Sequence, residues 1–213
     1  ILRDMVLQGT VANIMLRSAT PGKQWRLAVS GYRSIQGVDV RDSDVSRGLP
    51  IPAVSSQDRG GNVNWIFDAV WSEWLGLYGT DFHVSSNWAS GAVPGSGSRV
   101  LVETTNQMVI STPVQLLDLT IGGGAGQATV TANAALTVNE NILLLTNGNL
   151  ALNQPSLVRK NLYVLPGGTL KHSANGSTEL YKLDLTVGGD VEIDVGGAVD
   201  ATARGYSGNQ GPG

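Results

Sequence analysis

A pattern of residues that recurs along the C-terminal half of the chain constrains the fold more than any other feature. The stretch VNENILLLTNGNL begins at Val138, VRKNLYVLPGGTL begins at Val158, and VGGDVEIDVGGAV begins at Val187. Within each stretch the apolar residues stand at alternate positions, which is the period of a β-strand, whereas an amphipathic helix would need a period of about 3.6 residues. The repeat therefore predicts short strands that follow one another in a constant order.

When the three stretches are aligned, residues of the same kind share a column. The columns are Val138, Val158 and Val187; Asn141, Asn161 and Asp190; Ile142, Leu162 and Val191; Leu144, Val164 and Ile193; Gly148, Gly168 and Gly197; and Leu150, Leu170 and Val199. The segment LLDLTIGG at Leu116–Gly123 also recurs as KLDLTVGG at Lys182–Gly189. We interpret this second similarity as support for the same repeat.

A repeat of about 20 residues with two or three short strands is typical of one rung of a β-solenoid, in which each rung stacks on the one before. We predict an all-β chain that forms a right-handed parallel β-helix with rungs of about 20 residues, interrupted by a Trp-rich junction. Equivalent residues would then lie about 4.8 Å apart, the spacing of neighbouring strands. The wider spacing before the third stretch indicates an insertion of about nine residues near Ser173–Lys182, because solenoids tolerate loops on one face.

The chain is predicted to have three parts. Residues 1–68 show strand-like alternation in poorer register, with Ile35, Val38 and Val40 facing inward and Trp25 and Trp65 as large fillers, and we interpret them as the last rungs of a preceding β-rich module. Residues 69–100 form a junction rich in Trp, Pro and Gly, which is typical of a boundary. Residues 101–213 form a parallel β-helix module that we expect to continue beyond residue 213.

Composition excludes several classes of function. The chain has 14 Lys and Arg against 17 Asp and Glu, for a net charge of −3, so it lacks the clustered positive charge that nucleic-acid binding requires. It has no cysteine, which excludes disulfides, thiolate nucleophiles and cysteine-ligated metals. No apolar run is long enough to span a bilayer as a helix, so we expect no membrane insertion.

Several segments resemble regions of very large bacterial secreted or cell-surface proteins. LRSATPGKQWRLAVSG, VDVRDSDVS and NWIF resemble a segment that closes one β-rich unit in such proteins. GTDF, SSNWASGAVPGSGSRVLV and the ending GGDVEIDVGGAVDATARGYSGNQGPG resemble their β-helical repeat regions, which carry Trp, Asn-Trp and Pro-Gly motifs and Gly-rich turns. The resemblance implies an adhesin-like, filamentous protein located outside the cell or on the bacterial cell surface. It supplies no catalytic residue.

The alignment also nominates residues that lie outside the predicted core. Outward positions on the aligned strands carry Leu143, Leu145, Tyr163 and Leu165, and a contiguous exposed apolar patch usually marks a contact. We expect this patch either to be covered by the Ser173–Lys182 insertion or another part of the chain, or to dock another subunit or module. The column of Asn141, Asn161 and Asp190 is predicted to be a turn ladder with hydrogen bonds along the stack. Lys171 and Asp200 are a predicted cross-strand pair.

The residues with catalytic or metal-binding chemistry are few. His83 and His172 lack a second ligand at a suitable spacing, and we interpret both as structural or exposed. Asp39, Asp42 and Asp44 lie close together in DVRDSDVSRG and leave calcium as a minor hypothesis, although Arg47 stands where an EF-hand requires Gly.

A Gly-rich segment and an acidic pair are two further motifs that we interpret as structural features and not as catalytic or binding sites. IGGGAGQA at Ile121–Ala128 lacks the Gly-Lys-Ser/Thr of a phosphate-binding loop, so we interpret it as a turn. Glu192 and Asp194, with Arg204 as the nearest candidate base, are the only acidic pair on the outward strand positions, where a polysaccharide-cleaving enzyme would carry such a pair. We predict a solvated face there and no cofactor.

We therefore expect a structural segment of a secreted bacterial surface protein that forms a stiff β-solenoid rod or filament, and not an enzyme. Its expected partners are further β-helix modules or other copies of itself, with an extracellular polysaccharide as an alternative. Two other functions stay open: a polysaccharide-binding or polysaccharide-cleaving β-helix, and a receptor-binding adhesin or phage-type fibre. Aromatic and acidic residues lining one groove would support the first, and a trimer of interleaved chains would support the fibre.

Overall fold

The computed structural model describes residues 2, 5–9, 12–29, 33–47, 51–67 and 71–208. The chain divides into two compact units, Ile1–Val70 and Trp71–Gly213, which we call the first and the second unit. The described residues are all-β, and the only helical segment among them is a short 3₁₀ helix at Ser85–Asn87. None of the described helices has the length and apolar character to cross a membrane.

The described residues of the first unit form nine short strands, arranged in three sheets. The strands are β1 (Met5–Gln8), β2 (Ile14–Arg17), β3 (Trp25–Arg26), β4 (Arg33–Gln36), β5 (Val38–Arg41), β6 (Ser43–Asp44), β7 (Ile51–Val54), β8 (Gln57–Asp58) and β9 (Trp65–Phe67). The sheet orders are β1-β4-β7-β9, β2-β5-β8 and β3-β6, and every pair within them is parallel. Ile35, Val38 and Val40 are buried, as predicted, and Trp25 and Trp65 pack against them while remaining partly exposed.

Residues 71–208, the described part of the second unit, form fifteen strands, also in three sheets. The strands are β10 (Trp71–Glu73), β11 (Arg99–Val102), β12 (Met108–Ile110), β13 (Val114–Leu116), β14 (Asp118–Ile121), β15 (Ala128–Ala132), β16 (Leu136–Val138), β17 (Ile142–Leu144), β18 (Gly148–Leu152), β19 (Ser156–Val158), β20 (Leu162–Val164), β21 (Thr169–Lys171), β22 (Leu185–Val187), β23 (Val191–Ile193) and β24 (Ala198–Asp200).

The three sheets of the second unit are visited in rotation. Sheet A has the order β10-β11-β14-β17-β20-β23, sheet B the order β12-β15-β18-β21-β24, and sheet C the order β13-β16-β19-β22. From β11 onward the chain passes through A, B and C and then returns to A one strand further along, and every pair is parallel. We call one such passage a rung. The predicted all-β class with parallel strands is thus confirmed.

The register of these strands follows the columns of the sequence alignment. Ile142 pairs with Leu162, and Leu162 pairs with Val191. The columns that begin at Val138 and Leu150 pair in the same way in sheets C and B. Inward members of the earlier rungs are buried and form one hydrophobic cluster, because alternate residues of a strand point to the same side of the sheet.

The Trp-rich segment, which the sequence suggests is a junction over residues 69–100, contributes to the second unit from Trp71 onward. Trp74, Phe82 and Trp88 are almost fully buried in the hydrophobic cluster of that unit. The ring centroids of Trp88 lie 5.1 Å from those of both Trp74 and Phe82, in edge-to-face geometry, which aromatic rings prefer. We call this group the aromatic cluster.

The two similar segments LLDLTIGG and KLDLTVGG do not occupy equivalent places. Within the first, Asp118–Ile121 forms β14 of sheet A, whereas within the second, Leu185–Val187 forms β22 of sheet C. Their similarity therefore does not reflect one column of the repeat, and that interpretation was wrong. What the two segments share is local: in each, a short strand is followed directly by two glycines.

The predicted insertion lies between β21 in sheet B and β22 in sheet C. Asn175 organises it, because its side chain accepts hydrogen bonds from the backbone N–H groups of Leu180 and Tyr181 and donates to two backbone carbonyls. One of those carbonyls belongs to Arg204, and Ser207 donates from its backbone N–H to Gly176. The insertion is thereby tied to the segment that follows β24. Residues 209–213 of the Gly-rich ending lie outside the described residues.

Candidate functional site: ladders, turns and faces of the second unit

Three β-turns connect sheet A to sheet B and repeat one geometry. The N–H groups of Gly148, Gly168 and Gly197 donate to the carbonyls of Leu145, Leu165 and Asp194, each at 2.8 Å. The third residue of each turn, which is Asn147, Gly167 or Gly196, has a positive φ between 64° and 94°, where Gly and Asn are the favoured residues. The turns also bond to each other, since Asn147 N–H donates to Gly167 and Gly167 N–H donates to Gly196.

The glycine column of these turns has a steric cause. A Cβ atom on Gly148, Gly168 or Gly197 would lie between 2.2 and 2.6 Å from the carbonyl oxygen of Ile121, Leu144 or Val164, respectively. Each of those carbonyls belongs to the preceding rung. Glycine therefore lets consecutive rungs approach to the distance that parallel strand pairing requires.

The turn ladder predicted from Asn141, Asn161 and Asp190 is a chain of side chain-to-backbone hydrogen bonds. The side-chain oxygen of Asn141 accepts from the N–H of Asn161 at 3.2 Å, and the side-chain oxygen of Asn161 accepts from the N–H of Asp190 at 2.8 Å. Asp118 adds a fourth member, because its carboxylate accepts from the N–H of Asn141 at 2.9 Å. The Nδ2 of Asn161 donates to the Tyr163 hydroxyl within its own rung instead of to the next rung.

A second ladder, which the sequence analysis missed, has a buried residue at its centre. Asn153 is 4% exposed, and its Nδ2 donates to the Oδ1 of Asn133 at 2.7 Å and to the Oγ of Ser173 at 2.9 Å. Its Oδ1 accepts from the N–H of Ser173 at 2.8 Å. These three residues are 20 positions apart, so the period of the repeat was a signal that could have identified them.

Charged side chains also pair between rungs. Arg99 forms an ion pair with Asp118 on the next strand of sheet A, and Glu140 forms one with Lys160 on the next rung. Burial lowers the pKa of Arg99, while the negative charge of Glu140 acts in the opposite direction. Lys171 and Asp200 are direct register partners. Hydrogen bonds from Thr202 hold the pKa of Asp200 below its ordinary value, and the charges of Arg204 and Lys171 add to this effect.

The four residues of the predicted outward apolar patch differ in their exposure. Leu143 and Tyr163 are half-buried register partners in sheet A, but Leu145 and Leu165 are only 6% and 2% exposed. Leu145 and Leu165 do not belong to the hydrophobic cluster of the second unit, so their burial agrees with the expectation that another part of this chain covers the patch. Both residues follow the last residue of a strand and begin a turn, so the alternation of the strand no longer sets their direction. Whether Leu143 and Tyr163 contact a partner stays a prediction.

The hypothetical calcium site has no support in the geometry. Asp39 bonds to Arg17 and Arg59, Asp42 accepts from Gly22 N–H and Arg41, and Asp44 accepts from Ser46. Burial would raise the pKa of Asp39, but its bonds to the two arginines outweigh that effect and keep this pKa low. No group of three or more potential ligands occurs among the residues that the structure describes.

The other residues considered for catalysis or ligand binding lie in separate parts of the second unit. The Nε2 of His83 lies 2.6 Å from the Oγ1 of Thr112 on the exposed surface, and the Nδ1 of His172 lies 2.8 Å from the Ser173 carbonyl oxygen. Glu192 is in β23, whereas Asp194 begins the following turn. The Ile121–Ala128 segment connects β14 to β15, with no helix to follow.

One carboxyl has an unfavourable environment. Glu103 follows β11 and is half-buried. Burial raises the pKa of Glu103, and the negative charge of Glu73 raises it further. A raised pKa in a folded protein means that ionisation of this group opposes folding, so its contribution to stability decreases as the pH rises through that pKa.

The last rung differs from the others in its exposure. Val191, Ile193 and Val199 are 53%, 47% and 47% exposed, whereas their register partners Leu162, Val164 and Leu170 are at most 2% exposed. Strands β22, β23 and β24 each end their sheet.

A comparison of the chain with protein-family models, with curated proteins and with solved structures found no match.

Proposed function

We propose that the chain is a structural segment of a secreted bacterial protein, located outside the cell or on the cell surface, in which β-solenoid rungs form a stiff rod. In this proposal each unit is a right-handed parallel β-helix and performs no chemical reaction. The single observation that carries the proposal is the repeated parallel register, in which β14, β17, β20 and β23 pair in succession with like residues in each column.

Several contacts support stiffness. Neighbouring rungs of the second unit are bonded by parallel strand pairing in three sheets, and its later rungs are also bonded by the stacked turns and by two ladders of polar side chains. Bending such a stack would strain all of these bonds together. The right hand of the helix is proposed because crossover connections between parallel strands are right-handed in almost all proteins.

The amino-acid composition and the pairing of the charged side chains also agree with the rod proposal. Charged residues make up only 15% of the sequence, and glycine is the residue that the turns require. The charged groups described above pair along the stack instead of converging on one point. The extracellular location rests on the resemblance of the sequence segments, and it is part of the proposal. None of the described contacts favours polysaccharide cleavage or receptor binding, so we do not propose either.

Deletion of one rung tests the proposal. Removing residues 141–160 joins Glu140 to Asn161 and keeps every column, because the spacing of this rung is 20 residues. We expect a folded protein whose long dimension, measured by small-angle X-ray scattering, is shorter by about 4.8 Å. The circular dichroism spectrum should keep its β-sheet character.

The matched control removes residues 141–150, which is half a rung. It places Ala151, a residue of sheet B, where sheet A should begin, so we expect loss of cooperative unfolding. Equal damage from both deletions, or a full-rung deletion that fails to fold, would refute the rod proposal.

A further inference from the structure

Three arginines of the first unit lie in one column on the sheet formed by β2, β5 and β8. Arg17 and Arg41 are direct register partners. Arg59 follows β8, and its backbone N–H donates to the carbonyl of Val40, so Arg59 lies beside Arg41. Neighbouring strands are about 4.8 Å apart, and the three arginines therefore stand on consecutive strands. We call them the arginine column.

The arginine column lies on the outward face of its sheet. The preceding residues Leu16 and Val40 pack in the core of the first unit, and successive residues of a strand point to opposite faces. The side chains of Arg17, Arg41 and Arg59 are accordingly 42%, 39% and 52% exposed. This exposure follows from the alternation within the strands and does not depend on a free sheet edge.

Two carboxylates hold the guanidinium groups of the arginine column. Asp39 is only 6% exposed, and it accepts from the Nη2 of Arg17 at 3.1 Å and from the Nε of Arg59 at 2.9 Å. Asp42 accepts from the Nε of Arg41 at 3.2 Å. Like charges on neighbouring strands destabilise a sheet, so the two carboxylates offset the repulsion within the column and fix its geometry.

Most hydrogen-bond donors of the arginine column are not used within the protein. A guanidinium group carries five N–H donors in a planar fork. Arg41 uses only its Nε, Arg17 uses only its Nη2, and Arg59 uses its Nε and Nη2. Both terminal nitrogens of Arg41 have no protein partner in the part of the chain that the structure describes. Such a pair of terminal nitrogens matches two oxygens of a carboxylate or a sulfate.

The charge balance also favours an anion at this surface. Lys and Arg outnumber Asp and Glu in the first unit, whereas Asp and Glu outnumber Lys and Arg in the second. The backbone N–H of Gly22 donates to Asp42, so the next residue, the exposed Lys23, begins close to the column. Asp58 adds one negative charge before Arg59. The four basic residues still exceed the three acidic ones.

We propose that the arginine column binds the carboxylate or sulfate groups of an acidic polysaccharide. This inference rests on the extracellular location in the proposed function, because a polysaccharide is a polyanion that a protein meets outside the cell. Donors on consecutive strands bind successive acidic groups of one polymer together, which strengthens a set of weak contacts. A nucleic acid fits this surface less well, since the chain has a net charge of −3 and carboxylates stand between the arginines.

The test measures binding of the 213-residue chain to immobilised polymers by surface plasmon resonance at low salt. Polygalacturonate presents carboxylates, dextran sulfate presents sulfates, and uncharged dextran controls for binding to sugar alone. We expect binding to at least one acidic polymer and none to dextran, and the binding should weaken as added salt screens the charges. Binding to only one of the two acidic polymers identifies which anionic group the column recognises.

Substitutions of Arg41 test the column itself and leave Asp39 with both of its arginines. Arg41→Gln should weaken binding about tenfold, because charge-assisted hydrogen bonds to the polymer are lost. Arg41→Lys keeps the charge but not the planar fork, so its affinity should lie between those of Arg41→Gln and the wild type. Arg159→Gln is the matched control, because it removes the same charge from an exposed arginine of the second unit, and it should bind as the wild type does.

Three outcomes would overturn the inference: a wild-type chain that binds neither acidic polymer, equal weakening by Arg41→Gln and Arg159→Gln, or tighter binding to single-stranded DNA than to either polysaccharide. Circular dichroism checks that each variant is folded. If Arg41→Gln does not fold, Arg41→Lys takes its place, and binding equal to that of the wild type would refute the role of the fork. A chain that tolerates the full-rung deletion but binds neither acidic polymer would refute this inference and leave the rod proposal intact, because the deleted rung lies in the second unit.

Discussion

At the scale of the residue, the rungs are held at their spacing by glycines that could not carry a side chain. A Cβ atom on Gly148 would lie 2.2 Å from the carbonyl oxygen of Ile121, and backbone cannot move aside as a flexible side chain can. The glycine column could be predicted from the sequence, but its cause is the carbonyl of the preceding rung.

We expect Gly148→Ala to destabilise the protein by about 1–3 kcal/mol, the usual cost of overpacking. Urea unfolding followed by circular dichroism measures the change. Gly176→Ala is the control, because a Cβ atom there meets nothing within 4 Å, and it should be close to neutral. An unchanged midpoint for Gly148→Ala would mean that the rungs can separate at this turn without cost.

Buried Asn153 provides a second prediction at this scale. Asn153→Ala removes three hydrogen bonds to Asn133 and Ser173, and because a typical hydrogen bond contributes about 0.5–1.5 kcal/mol, we expect a destabilisation of about 1–3 kcal/mol. The exposed neighbour Gln154 supplies the control, since Gln154→Ala should change the free energy of unfolding by less than about 0.5 kcal/mol. Equal effects of the two substitutions in thermal unfolding would argue against a stabilising ladder.

At the scale of the element, the Trp-rich segment has a role that composition did not reveal. The Pro/Gly/Ser content suggested a boundary, yet Trp74, Phe82 and Trp88 are core residues of the second unit. The Nε1 of Trp88 also donates to the carbonyl of Phe82 at 2.8 Å, so its polar atom is satisfied within the cluster. This segment is therefore the structured start of the second unit.

Trp88→Ala should destabilise the second unit by about 3–5 kcal/mol, the typical cost of removing a large buried aromatic residue. Hydrogen exchange should increase first in β11 and β12, which lie beside the aromatic cluster. Tyr78→Ala is the control, because Tyr78 lies in the same segment but is 70% exposed. If the two variants are equally stable, the aromatic cluster does not support the rungs.

At the scale of the whole molecule, the described residues form two hydrophobic clusters. One draws its buried residues from Val29 to Ala53, and the other draws them from Trp74 to Leu170. Neither cluster contains a buried residue from the other unit. Each unit therefore has the core that independent folding requires.

Residues 71–213 produced alone should keep the fold of the second unit, and their amide chemical shifts should match those of the same residues in the whole chain. A cut within the second unit, such as production of residues 101–213, removes the aromatic cluster and should give a less stable product. A fragment 71–213 that does not fold cooperatively would show that the first unit is required.

The sequence by itself determined which residues form strands, how those strands align and where the turns need glycine. These features could be predicted because stacking places residues of successive rungs directly over one another, so that each column must be filled by compatible residues. Tertiary structure alone decided the burial of Leu145 and Leu165, the different sheets of the two LDLT segments and the arginine partners of Asp39. The reason is that alternation sets the direction of a side chain only within a strand, while burial at turns and rung ends depends on neighbours that are distant in the sequence.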